Sequence, residues 1–264
     1  MLIIGELINS TRKAIAQAIE HKDKAYLQNL ARQQVKAGAH ILDINAATSS
    51  DEIESIQWLA NIVQEVVNVP LCIDSPSAMA IEAGLSRCQR PGMVNSISAE
   101  QERWEQMLPL IQKYKTKVVA LCMQDGGMPE TIDDRLEVAE KLVSGLTHAG
   151  VATGDIYLDP LIKPLGVDPN FGLQAMETTR LLREKFPKVH VVSGLSNISF
   201  GLPERRVINR AFMVMSVAMG MDAFILDPLD QDMMSLLLAS NALTGQDEYC
   251  MDYIAGVRAG KVRA

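Results

Sequence analysis

Short β-branched and aliphatic runs recur along the chain, at Leu2–Glu6, Ile41–Asn45, Leu71–Asp74, Met93–Ser96, Lys117–Met123, Ile156–Asp159, Val189–Asn197 and Ala223–Asp227. Between them the apolar residues change period. In KAYLQNLARQQVKAGA, ESIQWLANIVQEVVN, RLEVAEKLVSGLTHAG and LQAMETTRLLREKF they return every three or four positions, the spacing of an amphipathic helix. Gly38 and Gly150 are placed to end helices, and Ser75-Pro76 reads as an N-cap followed by a first-turn proline. Strand–helix alternation repeated around the whole chain, with no linker dividing it, predicts one closed α/β barrel of the (β/α)8 TIM type over residues 1–264. An open doubly wound sheet is the alternative. It is disfavoured because LIIGELINS carries one glycine where G-x-G-x-x-G would stand.

Composition narrows the picture. Of 264 residues, 48% are hydrophobic and only 5% aromatic, which suits a core packed in aliphatic layers. A net charge of −7 argues against a binder of nucleic-acid backbone. The start, MLIIGELINSTRK, lacks a basic segment followed by a long apolar one, and no apolar run approaches a membrane span. Cys72, Cys88, Cys122 and Cys250 are scattered, with no C-x-x-C pair, and read as reduced thiols in the cytoplasm.

Polar residues gather where the strands end. Glu6, Asn9, Asp43, Asn45, Asp74, Asn95, Ser96, Gln124, Asp125, Asp159, Ser196, Asn197 and Asp227 all fall at or just past C-terminal strand ends, the face on which barrel active sites are built. Any one Asp or Asn there can close a turn or cap a helix; Asp227-Pro228 and Asp125 before Gly126-Gly127 fit that reading. Asp74 does not, since Ser75 takes the capping position, and Asn45 and Asn197 stand where strand propensity disfavours them. No histidine joins them. His40 and His190 precede strands, and His21 and His148 lie in or near helices. No metal-ligand set is present. Lys163 lies beyond a strand end, in a loop, and SGLSN and LDPLD are too poor in glycine for a tight phosphate clamp.

A rim of carboxylates and carboxamides suits a pterin ring. Its 2-amino group and N3–H form a pair of adjacent donors that one carboxylate accepts together. Its remaining polar edge can be matched by Asn and a second Asp, and a wrong ligand would leave buried groups unpaired.

The segments GELIN, LDIN, LCIDSPS, GMVNSIS, IYLDPLIKP and GLSNISFGLPERRVINRAF resemble the methyltetrahydrofolate:corrinoid (iron-sulfur) protein methyltransferase family of pterin-binding TIM barrels, over nearly the whole chain and in order. The resemblance implies that Asp74, Asn95 and Asp159 hold the pterin, with Asp159 on the 2-amino/N3 edge. It implies that Asn197 reaches N5, the methyl-bearing nitrogen, and that Asp43, Asn45 and Ser196 support the pocket. Glu6 and Gln124 hold rim positions. Asn209-Arg210 matches a motif opening the helix after strand 7, with either a structural role or a contact to the partner. Leu7 departs from the basic residue that many relatives carry there.

The implied reaction exchanges a methyl group between N5 of (methyl)tetrahydrofolate and the cobalt of a corrinoid (cobalamin), in either direction. An Asn carboxamide can donate to neutral N5 or, rotated, accept from N5–H. The chain has no D-x-H-x-x-G signature, so the corrinoid is expected on a partner protein, and the resemblance implies a homodimer. Two alternatives stand beside this reading. One is a dihydropteroate synthase-like enzyme, which would need an Arg-x-His that LDPLDQD lacks. The other is a non-catalytic folate-binding protein.

Overall fold

The structure, a computed structural model, describes residues 1–263. Its strands are β1 (Leu2–Asn9), β2 (Ile41–Asn45), β3 (Leu71–Asp74) and β4 (Met93–Ala99). They continue with β5 (Lys117–Gln124), β6 (Ile156–Asp159), β7 (His190–Gly194) and β8 (Ala223–Leu226). All pair in parallel with their chain neighbours, and β8 returns to β1, closing the barrel. The helices are α1 (Lys13–Glu20), α2 (Lys24–Ala37), α3 (Glu52–Gln64), α4 (Ala78–Leu85) and α5 (Gln101–Tyr114). After them come α6 (Ile132–His148), α7 (Phe171–Lys185), α8 (Arg205–Ala218), α9 (Gln231–Leu243) and α10 (Met251–Arg258).

Successive strand side chains point to opposite faces, and the burial follows that rule. Leu42, Ile44, Ile73, Val94, Val118, Leu158, Val191 and Phe224 face outward into the shell of helices. Ile4, Ile41, Cys72, Met93, Val119, Tyr157, Val192, Ala223 and Ile225 face inward and fill the barrel as a separate cluster. The lower end is closed by polar pairs: His190 stacks on Tyr157 at 4.6 Å and meets Asp222 at 2.8 Å, and Lys117 meets Asp155 at 2.7 Å. His40 takes the Ile3 N–H on its Nδ1 at 3.1 Å. Both histidines that precede strands therefore lie at the end opposite the polar rim.

Local signals hold at some helix and strand ends and are shifted at others. Gly38 ends α2 with φ 117°, a conformation that favours glycine. The C-cap of α6 is Ala149, and Gly150, with φ 89°, lies one residue beyond it. The cap of α4 is Ser77, not Ser75: the Ser77 hydroxyl accepts from the Ala80 N–H. Ser75 instead takes the Ser77 N–H at 2.9 Å and donates to Glu52, closing a turn that delays the helix by two residues. β7 stops at Gly194, short of the Asn197 expected from sequence, and Leu195–Ser199 form a 3-10 turn. The segment 211–220 packs as core through Phe212, Met213 and Val217.

Arg210 plays a structural part. It forms a two-pronged ion pair with Asp230, the N-cap of α9, at 2.6 and 3.2 Å, and it meets Asp232 at 2.9 Å. It thus ties α8 to α9.

Gly92 sits directly before β4, where a Cβ would lie 2.7 Å from the Leu71 carbonyl oxygen. That backbone cannot yield without disturbing the β3–β4 pairing. Gly92→Ala is expected to destabilise the protein by about 1–3 kcal/mol. Thermal unfolding checks this: an unchanged midpoint would show that the close approach carries no constraint.

Candidate functional site

The next inward positions above the aliphatic plug are polar. Strand register sets Asn45 beside Asp74 and Asp74 beside Asn95. Asn45 Nδ2 donates to Asp74 Oδ2 at 2.9 Å, while Asn45 Oδ1 accepts from the Ser10 hydroxyl at 3.1 Å and the Ala47 N–H at 3.0 Å. The carboxamide orientation is therefore fixed, and with it one face of Asp74. Asp43 lies one inward position deeper on β2, within 3.5 Å of Asn95 Nδ2. Complete burial pushes the Asp43 carboxyl well above the usual carboxylate range, and the neighbouring Asp74 pushes it further. Burial also raises Asp74, against the pull of the Asn45 amide and the Arg103 guanidinium.

Asp159 ends β6 across the barrel. Its Oδ1 accepts the Leu161 N–H at 2.8 Å, and its carboxylate also faces the Gly194 N–H on β7. Burial raises this carboxyl to about 6, the two backbone donors opposing the shift. Beyond Gly194 the chain enters the turn carrying Ser196 and Asn197. A Cβ on Gly194 would touch Asn197 Nδ2 at 3.4 Å, so the Asn197 carboxamide folds back over the end of β7. One glycine thus stands between the carboxylate and the carboxamide expected at opposite edges of the pterin.

An open cavity of about 470 Å³ lies off-centre in the mouth, over the ends of β1, β7 and β8. Glu6, Arg12, Ser196, Asn197, Arg205 and Asp227 are among its lining residues. Glu6 is held by Arg12 at 2.6 Å; burial raises its carboxyl more than Arg12 lowers it, and Asp227 adds to the rise. Asp43, Asn45, Asp74 and Asn95 sit on the other side of the mouth, so the site has a buried polar wall and an open flank. Gln124 departs from the expected rim: its Oε1 accepts from Lys141 of α6 at 2.8 Å, which ties it to the helix layer. Asp227 accepts the Leu229 N–H, the turn role expected of it, whereas Asp125 accepts the Gln101 N–H at the start of the preceding helix α5 instead of closing its own turn or capping α6. Lys163 is engaged by the Pro129 carbonyl at 2.7 Å.

Sequence reasoning missed three arginines in the first turns of helices that follow rim loops. Arg103 of α5 donates to the carbonyls of Ser75, Pro76 and Ser96 at 2.7–3.0 Å, bracing the loops after β3 and β4. Arg135 of α6, buried, donates to the Pro160 carbonyl next to Asp159 at 3.1 Å. Arg205 of α8 donates to the Ser196 carbonyl and the Ser199 hydroxyl. A basic residue at a helix N-terminus opposes the helix dipole, and that misplacement was the available signal.

A closed parallel barrel with a buried carboxylate–carboxamide layer at its C-terminal mouth defines a pterin-type pocket, and residues 5–227 match the model of the pterin binding enzyme family. The chain belongs to that family. It is 37% identical over 265 residues to the methylcorrinoid:tetrahydrofolate methyltransferase of Eubacterium limosum, covering 99% of this chain and 98% of that protein. It is 28% identical over 239 residues to the methionine synthase of Mycobacterium tuberculosis, covering 85% of this chain but 20% of that one. Among solved structures, the dihydropteroate synthase of Vibrio fischeri ES114 superposes with a TM-score of 0.75 at 17% identity, over 93% of each chain. That of Yersinia pestis gives 0.67 at 17% identity over 94% of this chain and 93% of that one. Likeness at that identity speaks for the fold alone.

The raised Asp159 carboxyl has a consequence for stability. Its folded-state value lies above the unfolded one, so the folded protein holds this proton more tightly. The contribution is fully present below the unfolded value and is lost as pH rises through about 6. Asp159→Asn, which keeps an oxygen for the Leu161 N–H, is expected to be more stable than the parent at pH 7.5 by roughly 1–3 kcal/mol. The difference should shrink toward pH 4. Paired denaturant titrations test it, and equal stability at pH 7.5 would remove the burial cost assigned to this group.

Proposed function

We propose that this chain transfers a methyl group between N5 of a reduced folate and the cobalt of a corrinoid carried by a separate protein. The observation that carries this reading is the 37% identity, along essentially the full length of both chains, to a methylcorrinoid:tetrahydrofolate methyltransferase. The activity named for that relative also supports a direction, from methylcorrinoid to tetrahydrofolate. Asp159 accepts the 2-amino and N3 donors of the pterin, and Asp74 and Asn95 pair its other polar edge. Asn45 holds Asp74 in place, and Asp43 lies beneath Asn95. Ser196 and Glu6 border the open flank.

The corrinoid supplies the methyl group and keeps the electron pair of the broken cobalt–carbon bond. N5 contributes the lone pair for the new bond to carbon and releases its proton to water. Asn197 Oδ1 accepts from N5–H while that proton is present, which leaves the N5 lone pair directed outward to the mouth. In the reverse direction, Nδ2 can donate to the leaving nitrogen. Because a carboxamide does not titrate, it serves both protonation states of N5. A group that contacts the charge-bearing atom in the transition state contributes to rate more than to ground-state affinity.

The corrinoid protein and reduced folate are the partners in this reading. The four free cysteines support a reducing, cytoplasmic setting. Among the described residues, no helix is long and apolar enough to cross a membrane. A homodimer is supported by exposed apolar side chains along α8 and the C-terminal helices, Met215, Leu243, Met251 and Val257 among them.

Asn197→Ala is expected to slow single-turnover methyl transfer by roughly 100-fold or more, with a small change in folate Kd. Cobalamin spectra recorded with methylated cobalamin and tetrahydrofolate, and then with the reverse pair, give both rate and preferred direction. A raised Kd with an unchanged single-turnover rate would assign Asn197 to binding only. Asp159→Ala, by contrast, should weaken folate binding by roughly 10- to 100-fold through loss of a charge-assisted pair. Isothermal titration reads this directly, and undiminished affinity would place the pterin edge elsewhere.

A further inference from the structure

Asn197 stands on a five-residue 3-10 turn, Leu195–Ser199, outside the barrel ladder. A strand residue takes its direction from two neighbouring strands, but a turn residue does not, and something else must fix this one. Three attachments are visible. The Leu165 N–H donates to the Ile198 carbonyl at 2.9 Å, fastening the back of the turn to the loop after β6. At the front, the Gly194 N–H faces Asp159. The third attachment is Arg205, the first residue of α8. Its Nη2 donates to the Ser196 carbonyl at 2.6 Å and its Nε to the Ser199 hydroxyl at 3.0 Å, so one planar guanidinium spans the turn on both sides of Asn197. The Ser199 hydroxyl in turn points to the same Ser196 carbonyl at 3.3 Å.

The rest of the environment fits a support and not a free cation. The guanidinium lies 5.9 Å from the centre of the Phe200 ring, the residue directly after the turn. Glu6, itself paired with Arg12, is close enough to feel its charge. Arg205 opens a helix whose N-cap, Glu204, is in the left-handed region and makes no side-chain cap. The helix gains nothing from a cation at that end, whereas the turn gains two hydrogen bonds from a charged donor, each worth more than a neutral one.

We propose that Arg205 is a positioning residue that sets the Leu195–Ser199 turn and thereby aims the Asn197 carboxamide at N5. This rests on the role given to Asn197 above. The hydrogen bonds of Arg205 go to the Ser196 carbonyl and the Ser199 hydroxyl, and its effect on Asn197 passes through them. A small misplacement of a group that must meet a reacting atom lowers rate far more than it lowers binding. Lysine, a single point donor, cannot bridge both acceptors and replaces the guanidinium only in part.

The test uses free cob(I)alamin and methyltetrahydrofolate, so that docking of a corrinoid protein plays no part. Arg205→Gln and Arg205→Lys are measured beside Asn197→Ala and the double variant Asn197→Ala/Arg205→Gln. Arg205→Gln is expected to lower the single-turnover rate by roughly 10- to 100-fold, with folate Kd within about threefold of the parent, and Arg205→Lys should fall between them. In the Asn197→Ala background, Arg205→Gln should add little, because both changes remove the same interaction. Three results overturn the proposal: full rate in Arg205→Gln, a weakened folate Kd at unchanged rate, or a full multiplicative loss in the double variant. If Arg205→Gln lowers the melting temperature enough to confuse the reading, Ser199→Ala, which removes only one of the two acceptors, gives the same comparison in a milder background. A normal rate in Asn197→Ala itself would instead refute the role of Asn197, which separates the two failures.

Discussion

The two-residue repeat of a strand governs this molecule. Once Ile4, Ile41, Cys72, Met93, Val119, Tyr157 and Val192 are committed to the barrel interior, the inward residue two places later on each strand has no freedom of direction. Those places hold Glu6, Asp43, Asp74, Asn95, Leu121, Asp159 and Gly194. A one-residue slip on β1, β2, β3 or β6 would turn its carboxylate away from the mouth and into the helix shell. The hydrophobic plug therefore fixes the polar layer as firmly as it fixes itself.

Placing acids there is costly, because an ionised carboxylate loses hydration on burial. The protein meets this cost locally and unevenly. Asp159 receives two backbone N–H groups, Asp74 an amide, and Glu6 a guanidinium. Asp43, completely buried beside Asp74, is pushed well toward the neutral acid despite the Cys72 thiol and the Asn95 amide. Arginines are used differently. Arg103 and Arg135 direct their hydrogen bonds to backbone carbonyls of the loops beside the acids, and Arg205 to one carbonyl and one hydroxyl, so they hold loop shape without pairing directly with a pocket carboxylate. The carboxylates stay free to accept from a ligand.

The fold was legible because every strand is a compact apolar run and every following helix carries an unbroken three-to-four repeat. The polar layer was legible for the same reason: Asp43, Asn45, Asp74, Asn95 and Asp159 lie inside or at the end of strands, where parity can be counted. Errors begin where the chain leaves the ladder. Asn197 was placed at the end of a strand that in fact stops at Gly194, since the apolar content of Val189–Asn197 does not show that the Gly194 N–H faces a side chain instead of continuing a strand. Gln124 follows β5 to its last residue but is captured by Lys141, a partner 17 positions away that no strand pattern reveals. Ser75 lost its cap to Ser77 because its hydroxyl found Glu52 on the neighbouring helix. Arg103, Arg135 and Arg205 act mainly through main-chain acceptors, and the only mark they leave in the sequence is a basic residue at a helix N-terminus.

Gly194 makes the distance between a carrier and a catalyst very short. Asp159, the acid proposed to recognise the pterin, faces the glycine's amide, and the carboxamide proposed for N5 lies within contact distance of where a Cβ would stand. A methyl group there would meet Asn197 at an ordinary contact distance, but any larger side chain would need the space the carboxamide occupies. Every acid of the pocket would survive such a change untouched. A single codon change at this glycine would therefore keep the list of pocket acids intact while altering the space in which they and the carboxamide work.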